Sequence, residues 1–223
     1  MYRKIMVFAV ALFTVFFTGC YDSNEIESLA TVMAVGVENS DSENVKRYTF
    51  AVAKLTGENE GDKASFVCYS QSAPDVFSAI KDLNRKLSKK LSFSHTSLIL
   101  YSADAAAKGM YDDVKYFEDH SKIRPQTLMA LTTFSPQKYL ETLSPALEAN
   151  AEKYFRNILK DSKSNIAHIT LNDFIDAYHC QKELIFPVLG GASENNNQEQ
   201  NAFVTSAAFV KNGIFVKMQP LEE

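Results

Sequence analysis

Few residues in this chain have the type and spacing that chemistry requires. The four histidines, His95, His120, His168 and His179, form neither an HxxH nor an HExxH pair and have no CxxC beside them. No metal-ligand set is therefore expected. Serines and aspartates are plentiful, but no GxSxG elbow accompanies them, so a hydrolase nucleophile is not indicated. Ser94 and His95 are adjacent in an apolar run read as a strand, which sends their side chains to opposite faces. A lone strand histidine needs only one backbone partner, and His95 is read as a satisfied structural residue before a ligand-facing one. Asp112 and Asp113 are neighbours on a helix and do not face each other. Gly190-Gly191 has no helix pattern after it that could offer an N-terminus to a phosphate, and reads as a turn. No catalytic residue, metal or dissociable cofactor is expected.

Cys20 differs from these because of what precedes it. Arg3 and Lys4 form a positive n-region, and Ile5 to Phe17 is an apolar run of 13 residues broken only by Thr14. A spanning helix wants about 20 apolar residues, so the run reads as a cleavable export signal. Phe17-Thr18-Gly19-Cys20 resembles a bacterial lipobox, with Phe17 where an aliphatic residue is usual. In that motif the cysteine thiol takes a diacylglycerol, the chain is cut between Gly19 and Cys20, and the new amino group can take a further acyl chain such as palmitate. Two or more acyl chains anchor stably where one does not. The expected organisation is a signal peptide over 1–19, a lipidated tether over 20–28 and folded structure over 29–223.

Composition bounds the remainder. The chain has 223 residues, 46% hydrophobic, with a formal charge of −4 that becomes more negative once Arg3 and Lys4 are removed. That balance argues against nucleic-acid binding. After Cys20 only Cys68 and Cys180 remain. An even pair in an exported chain permits one disulfide, but both sit in apolar settings that suit buried free thiols, and free thiols are the expectation.

The pattern of elements predicts a mixed α+β fold. Leu29–Val37 and Lys46–Lys54 read as a hairpin with a polar loop, Tyr48, Phe50 and Val52 alternating as in a half-buried strand. A strand over Ser65–Ser70 follows the polar turn Gly57–Lys63. A helix opening at Pro74 carries Val76, Ile80, Leu83, Leu87 and Leu91 at helical spacing. Its basic residues, Lys81, Arg85, Lys86, Lys89 and Lys90, could meet anionic headgroups, though solvated helix faces are the ordinary case. Leu91–Tyr101 reads as β-rich, and Ala107, Met110, Val114 and Phe117 mark the next helix. A strand over Thr127–Thr133 precedes helices opened by Ser135-Pro136 and Pro145. Thr170 to Asp173 resembles a capping box, Leu184–Leu189 a strand, and Ser193–Asn201 a polar loop. Asn212-Gly213 between Thr205–Lys211 and Ile214–Met218 is the signature of a type I′ hairpin.

Cys20-Tyr21-Asp22-x-x-Glu25-Ile26, with Leu29-Ala30-x-Val32 and Gly36-Val37-Glu38 after it, resembles the opening of the spore-germination lipoproteins of the Ger(x)C family. Tyr21 stands where that family usually has Trp. Leu91-Ser-Phe-Ser-His95, Ile123-Arg124 and Ala207-Ala208-Phe209 extend the likeness in order along the chain. Asp22, Glu25, Ile26, His95 and Arg124 are the motif residues it singles out. The resemblance implies a C subunit of a nutrient germinant receptor, without catalytic residues. It would be lipid-anchored through Cys20 at the outer face of the inner spore membrane, beside two membrane-embedded partner subunits. It also implies that members continue well beyond the hairpin, so that only the N-terminal part is expected here and the C-terminal domain is absent. The alternative is a solitary lipid-anchored protein that captures a small solute, which would need a preformed apolar pocket.

Overall fold

The computed structural model describes residues 29–53, 66–143, 151–160, 166, 168–190 and 203–221. The turn expected over Gly57–Lys63, the opening at Pro145 and the loop over Ser193–Asn201 lie outside these residues. The expected mixed α+β architecture is present.

Its sheet is built from β1 (Leu29–Asn39), β2 (Lys46–Ala53), β3 (Phe66–Ala73), β4 (Lys90–Ser92), β5 (Leu98–Ser102), β6 (Leu128–Thr132), β7 (Ile169–Thr170), β8 (Glu183–Gly190), β9 (Phe203–Lys211) and β10 (Ile214–Pro220). The order is β10-β9-β8-β6-β5-β1-β2-β3, with β4 beside β1 and β7 beside β6. Four central strands, β8, β6, β5 and β1, run parallel, and an antiparallel meander extends each side. Parallel strands need covered faces, and both faces are covered. On one lie α1 (Val76–Lys86), α2 (Ala103–Ala107), α3 (Tyr111–His120) and α6 (Leu171–His179). On the other lie α4 (Pro136–Leu143) and α5 (Ala151–Lys160).

Double coverage changes the reading of β2. Tyr48 and Phe50 face the first layer, yet Thr49 and Ala51 on the opposite face are buried as well, so the strand is not half-exposed. A register shift between Val32 and Ala34 adds a residue to β1 and inverts its parity. Ala30 and Val32 therefore share a face with Val35 and Val37, while Ala34 turns to the α4 side. Gly36 is required there, because a Cβ would lie 2.9 Å from Pro136 Cβ.

Several boundaries differ from the expected ones for local reasons. The helix expected to open at Pro74 starts at Val76, and Asp75 caps it, its carboxylate accepting from Ser78 N at 2.7 Å. The helix stops at Lys86, and Leu91 belongs to β4 instead. The single helix expected through Ala107 and Phe117 is two, broken at Gly109 with φ of 109°. The break resets the helical phase, so Ala105 and Ala106 are buried and Ala107 is exposed. Gly190 is not in a turn but is the last residue of β8, paired with Phe203, where a Cβ would collide with Thr205.

Other local signals are realised directly. Thr170 accepts from Asp173 N while the Asp173 carboxylate accepts from Thr170 N, a reciprocal capping box. Asn212 and Gly213 both have positive φ, 50° and 71°, as a type I′ turn requires. That turn is packed against the helical layer, Met110 N donating to Gly213 O at 2.9 Å. Cys68 and Cys180 are both free, Cys68 half-buried and Cys180 exposed. They sit on β3 and beside β8, five strand spacings or about 24 Å apart across the sheet, far beyond disulfide reach.

Candidate functional site

Gly19, Cys20, Asp22, Glu25 and Ile26 lie outside the described residues. The other two motif residues, His95 and Arg124, meet at one end of the sheet. The run expected as one strand over Leu91–Tyr101 is interrupted, and residues 93–97 turn from β4 to β5. His95 is therefore on an exposed turn, not buried in a strand. Arg124 Nη2 lies 3.4 Å from His95 Nδ1, a contact in which the guanidinium, having no acceptor, is the donor. The turn before β5 is held against β1, and the loop before β6 against that turn, by hydrogen bonds to backbone carbonyls. Thr96 Oγ1 donates to Val32 O, Thr127 Oγ1 to Thr96 O, and Ser97 N to Met33 O. Imidazole and guanidinium thus sit side by side at the end of the sheet where β5 and β6 begin.

The buried polar residues are committed elsewhere. Asp113, 3% exposed, accepts from Lys46 Nζ at 2.7 Å and from the Tyr48 and Tyr101 hydroxyls at 2.8 and 3.5 Å. Adjacency with Asp112 carried no hint of this, since the partners come from β2 and β5. Glu38, also buried, accepts from Arg47 Nη1 at 3.1 Å and from Ser135 Oγ at 2.6 Å, joining β1 to the start of α4. Both clusters are internally paired and occupy the framework. His95, His120 and His179 have no hydrogen bond to a serine hydroxyl or cysteine thiol among the described residues. No group of three or more metal-ligating side chains occurs among those residues, and none of their helices is long and apolar enough to cross a membrane.

Burial, followed by the Asp113 charge, pushes the Tyr48 and Tyr101 hydroxyls well above their ordinary value, and burial does the same to Tyr139. The unfolded chain releases these protons near pH 10, whereas the folded chain holds them. Their stabilising effect is thus complete below pH 10 and is lost as pH rises above it. The loss is about 1.4 kcal/mol per pH unit for each tyrosine. Burial also raises the Cys68 thiol to about 11, adding a smaller loss from about pH 9. Urea titrations should give a flat stability from pH 7 to about 9 and a steep fall above 10. The fall should be blunted in Tyr48→Phe/Tyr101→Phe; an unchanged slope there would reject the assignment.

A family model described as the spore germination protein N-terminal domain matches residues 22–190. The chain belongs to that family. Spore germination protein KC of Bacillus subtilis (strain 168) is 26% identical over 121 residues, which are 51% of this chain and 30% of the relative. The chain therefore spans about a third of the length of the curated relative it matches. No solved structure matches significantly. Within this N-terminal germination domain, His95 and Arg124 fall inside the matched span, which closes at Gly190, the last residue of β8. The C-terminal hairpin β9-β10 continues the same sheet beyond it.

Proposed function

We propose that the protein is the lipid-anchored, non-enzymatic subunit of a nutrient germinant receptor, held at the outer face of the inner spore membrane through diacylglycerol on Cys20. The observation that carries this reading is the germination-domain match, which begins at Asp22, two residues after the cysteine of the lipobox-like sequence. The division suits an address segment followed directly by the folded part. The internal pairing of Asp113 and Glu38 favours a binding role over catalysis, because a general acid or base must be free to exchange its proton with substrate. Two membrane-embedded receptor subunits are the partners in this reading, and the exposed pole at His95 and Arg124 is a surface open to them.

Tagged protein recovered from detergent-solubilised spore membranes tests both parts. The wild-type chain should bring down the two membrane subunits. Cys20→Ala should move from the membrane to the soluble fraction, since each acyl CH₂ contributes about 0.8 kcal/mol to anchoring. Folded, lipidated protein that recovers neither subunit would reject the receptor assignment. Unchanged membrane retention of Cys20→Ala would reject the anchor.

A further inference from the structure

The basic face of α1 is divided by the fold. Arg85 lies 3.7 Å from Asp82, and Lys86 donates to Gln71 Oε1 at 2.6 Å. Lys81 and Lys90 turn instead towards a groove of about 540 Å³ between α1 and α3, which Lys122 joins from the loop after α3. Phe77, Tyr116 and His120 complete its character. The Phe77 and Tyr116 ring centroids are 6.0 Å apart, Tyr116 stacks on His120, and Lys81 Nζ lies 5.7 Å from the centre of the Phe77 ring.

Among the described residues, no carboxylate lines the groove. Of the acidic residues on the two helices, Asp82 is engaged with Arg85, and Glu118 and Asp119 with Lys115; Asp75, whose charge reaches Tyr116, caps α1 by accepting from Ser78 N. Among the described residues, Lys81, Lys90 and Lys122 have no anionic partner. Phe77 is 52% exposed, which leaves an aromatic ring beside free ammonium groups, the pairing found where proteins meet the bilayer interface. Leu29 also lines the groove and pairs with Lys90 in the β1–β4 ladder. It is nine residues from Cys20, a span of at most about 30 Å.

We infer that this groove binds the phosphodiester headgroups of anionic membrane lipids, Lys81, Lys90 and Lys122 neutralising the charge while Phe77 enters the interface. The site rests on the anchored reading, which brings the groove to the membrane, and gives the domain one preferred orientation there. A negative surface supplies the anionic partner that these three lysines lack among the described residues.

The test uses the full chain carrying Cys20→Ala, so that no acyl chain contributes, floated with vesicles of phosphatidylcholine alone or with about 30% phosphatidylglycerol. Binding should be stronger on the anionic vesicles. It should fall on the order of a hundredfold in K81Q/K90Q/K122Q, at about fivefold for each lysine near an anionic surface. All three lysines are exposed, and an unchanged melting temperature verifies the fold. K138Q/K182Q/K211Q, the same change of charge on exposed lysines elsewhere, should bind like its parent. Residues 5–17 are common to every variant, so the difference reports the groove. Equal binding to both vesicles, or equal loss in the two triple variants, would overturn the proposal. Displacement by millimolar glycerol phosphate would also overturn it, and would assign the groove to a soluble phosphate ester. Failure of the anchor itself appears separately, as identical membrane fractions for wild-type and Cys20→Ala cells, and leaves the vesicle comparison decisive.

Discussion

Asp113→Ala is expected to destabilise the domain by about 3–5 kcal/mol, because it strands a partly buried cation and two buried hydroxyls together. The Lys46 side chain is 19% exposed and its ammonium has Asp113 Oδ2 at 2.7 Å. Its second contact, Gly109 O at 3.2 Å, carries no compensating charge. Tyr48 and Tyr101 are fully buried, and neither hydroxyl can turn to water when the carboxylate goes. For a domain of this size the loss corresponds to a melting temperature lower by about 10 °C. Asp113→Asn, which retains acceptor capacity and loses the charge, should fall between the variant and wild type. Lys46→Met/Asp113→Leu should recover part of the loss, since apolar replacement of both members of a buried pair avoids the stranded charge. Thermal and urea denaturation provide the measurement. A loss below about 1 kcal/mol in Asp113→Ala would show that the network is not the clamp between β2, β5 and α3 described above.

The second large effect is expected at Phe93. Its ring is 4% exposed and lies between Phe50 on β2 and Phe117 on α3, with centroid separations of 5.7 and 5.8 Å. Phe93→Ala should cost about 3–5 kcal/mol from lost burial and the cavity left behind, including about 0.5–1.5 kcal/mol for each aromatic pair. It should also reach the surface. Phe93 O accepts from Thr96 N at 3.0 Å across the turn that holds His95, so the ring is the inner support of that turn. Amide hydrogen exchange over residues 93–97 should speed up in Phe93→Ala more than over β5. His95→Ala, at an exposed position, should change stability by less than about 0.5 kcal/mol. The two variants thus distinguish support of the pole from its surface chemistry. If Phe93→Ala leaves exchange in the turn unchanged, the ring does not position His95.

Features governed by neighbours in the chain were legible without coordinates. The Thr170–Asp173 capping box depends on a spacing of three residues, and the Asn212-Gly213 turn on two residues that tolerate positive φ. Both were realised where they were expected. The opening around Cys20, with the series of short matches after it, was enough to place the chain in its family, because such a series is itself a property of residue order.

Tertiary structure decided what depends on which distant residues become neighbours. The four central strands lie parallel because the connections between them run through helices on both sides of the sheet, and this buried Thr49 and Ala51 against expectation. The bulge near Met33 set the parity of β1, which periodicity counted along an unbroken strand cannot detect. Asp113 looked like half of an unremarkable acidic doublet until Lys46, Tyr48 and Tyr101 closed around it. His95 and Arg124 were legible as separate motif residues, but their contact required two loops to be held at the same end of the sheet. The basic residues expected on one helix read as one face by helical counting; the fold paired Arg85 and Lys86, placed Lys90 on β4, and set Lys81 and Lys90, with Lys122, around a groove. In each case the sequence supplied the groups, and only the long-range packing could determine which charges were neutralised and which remained open to a partner.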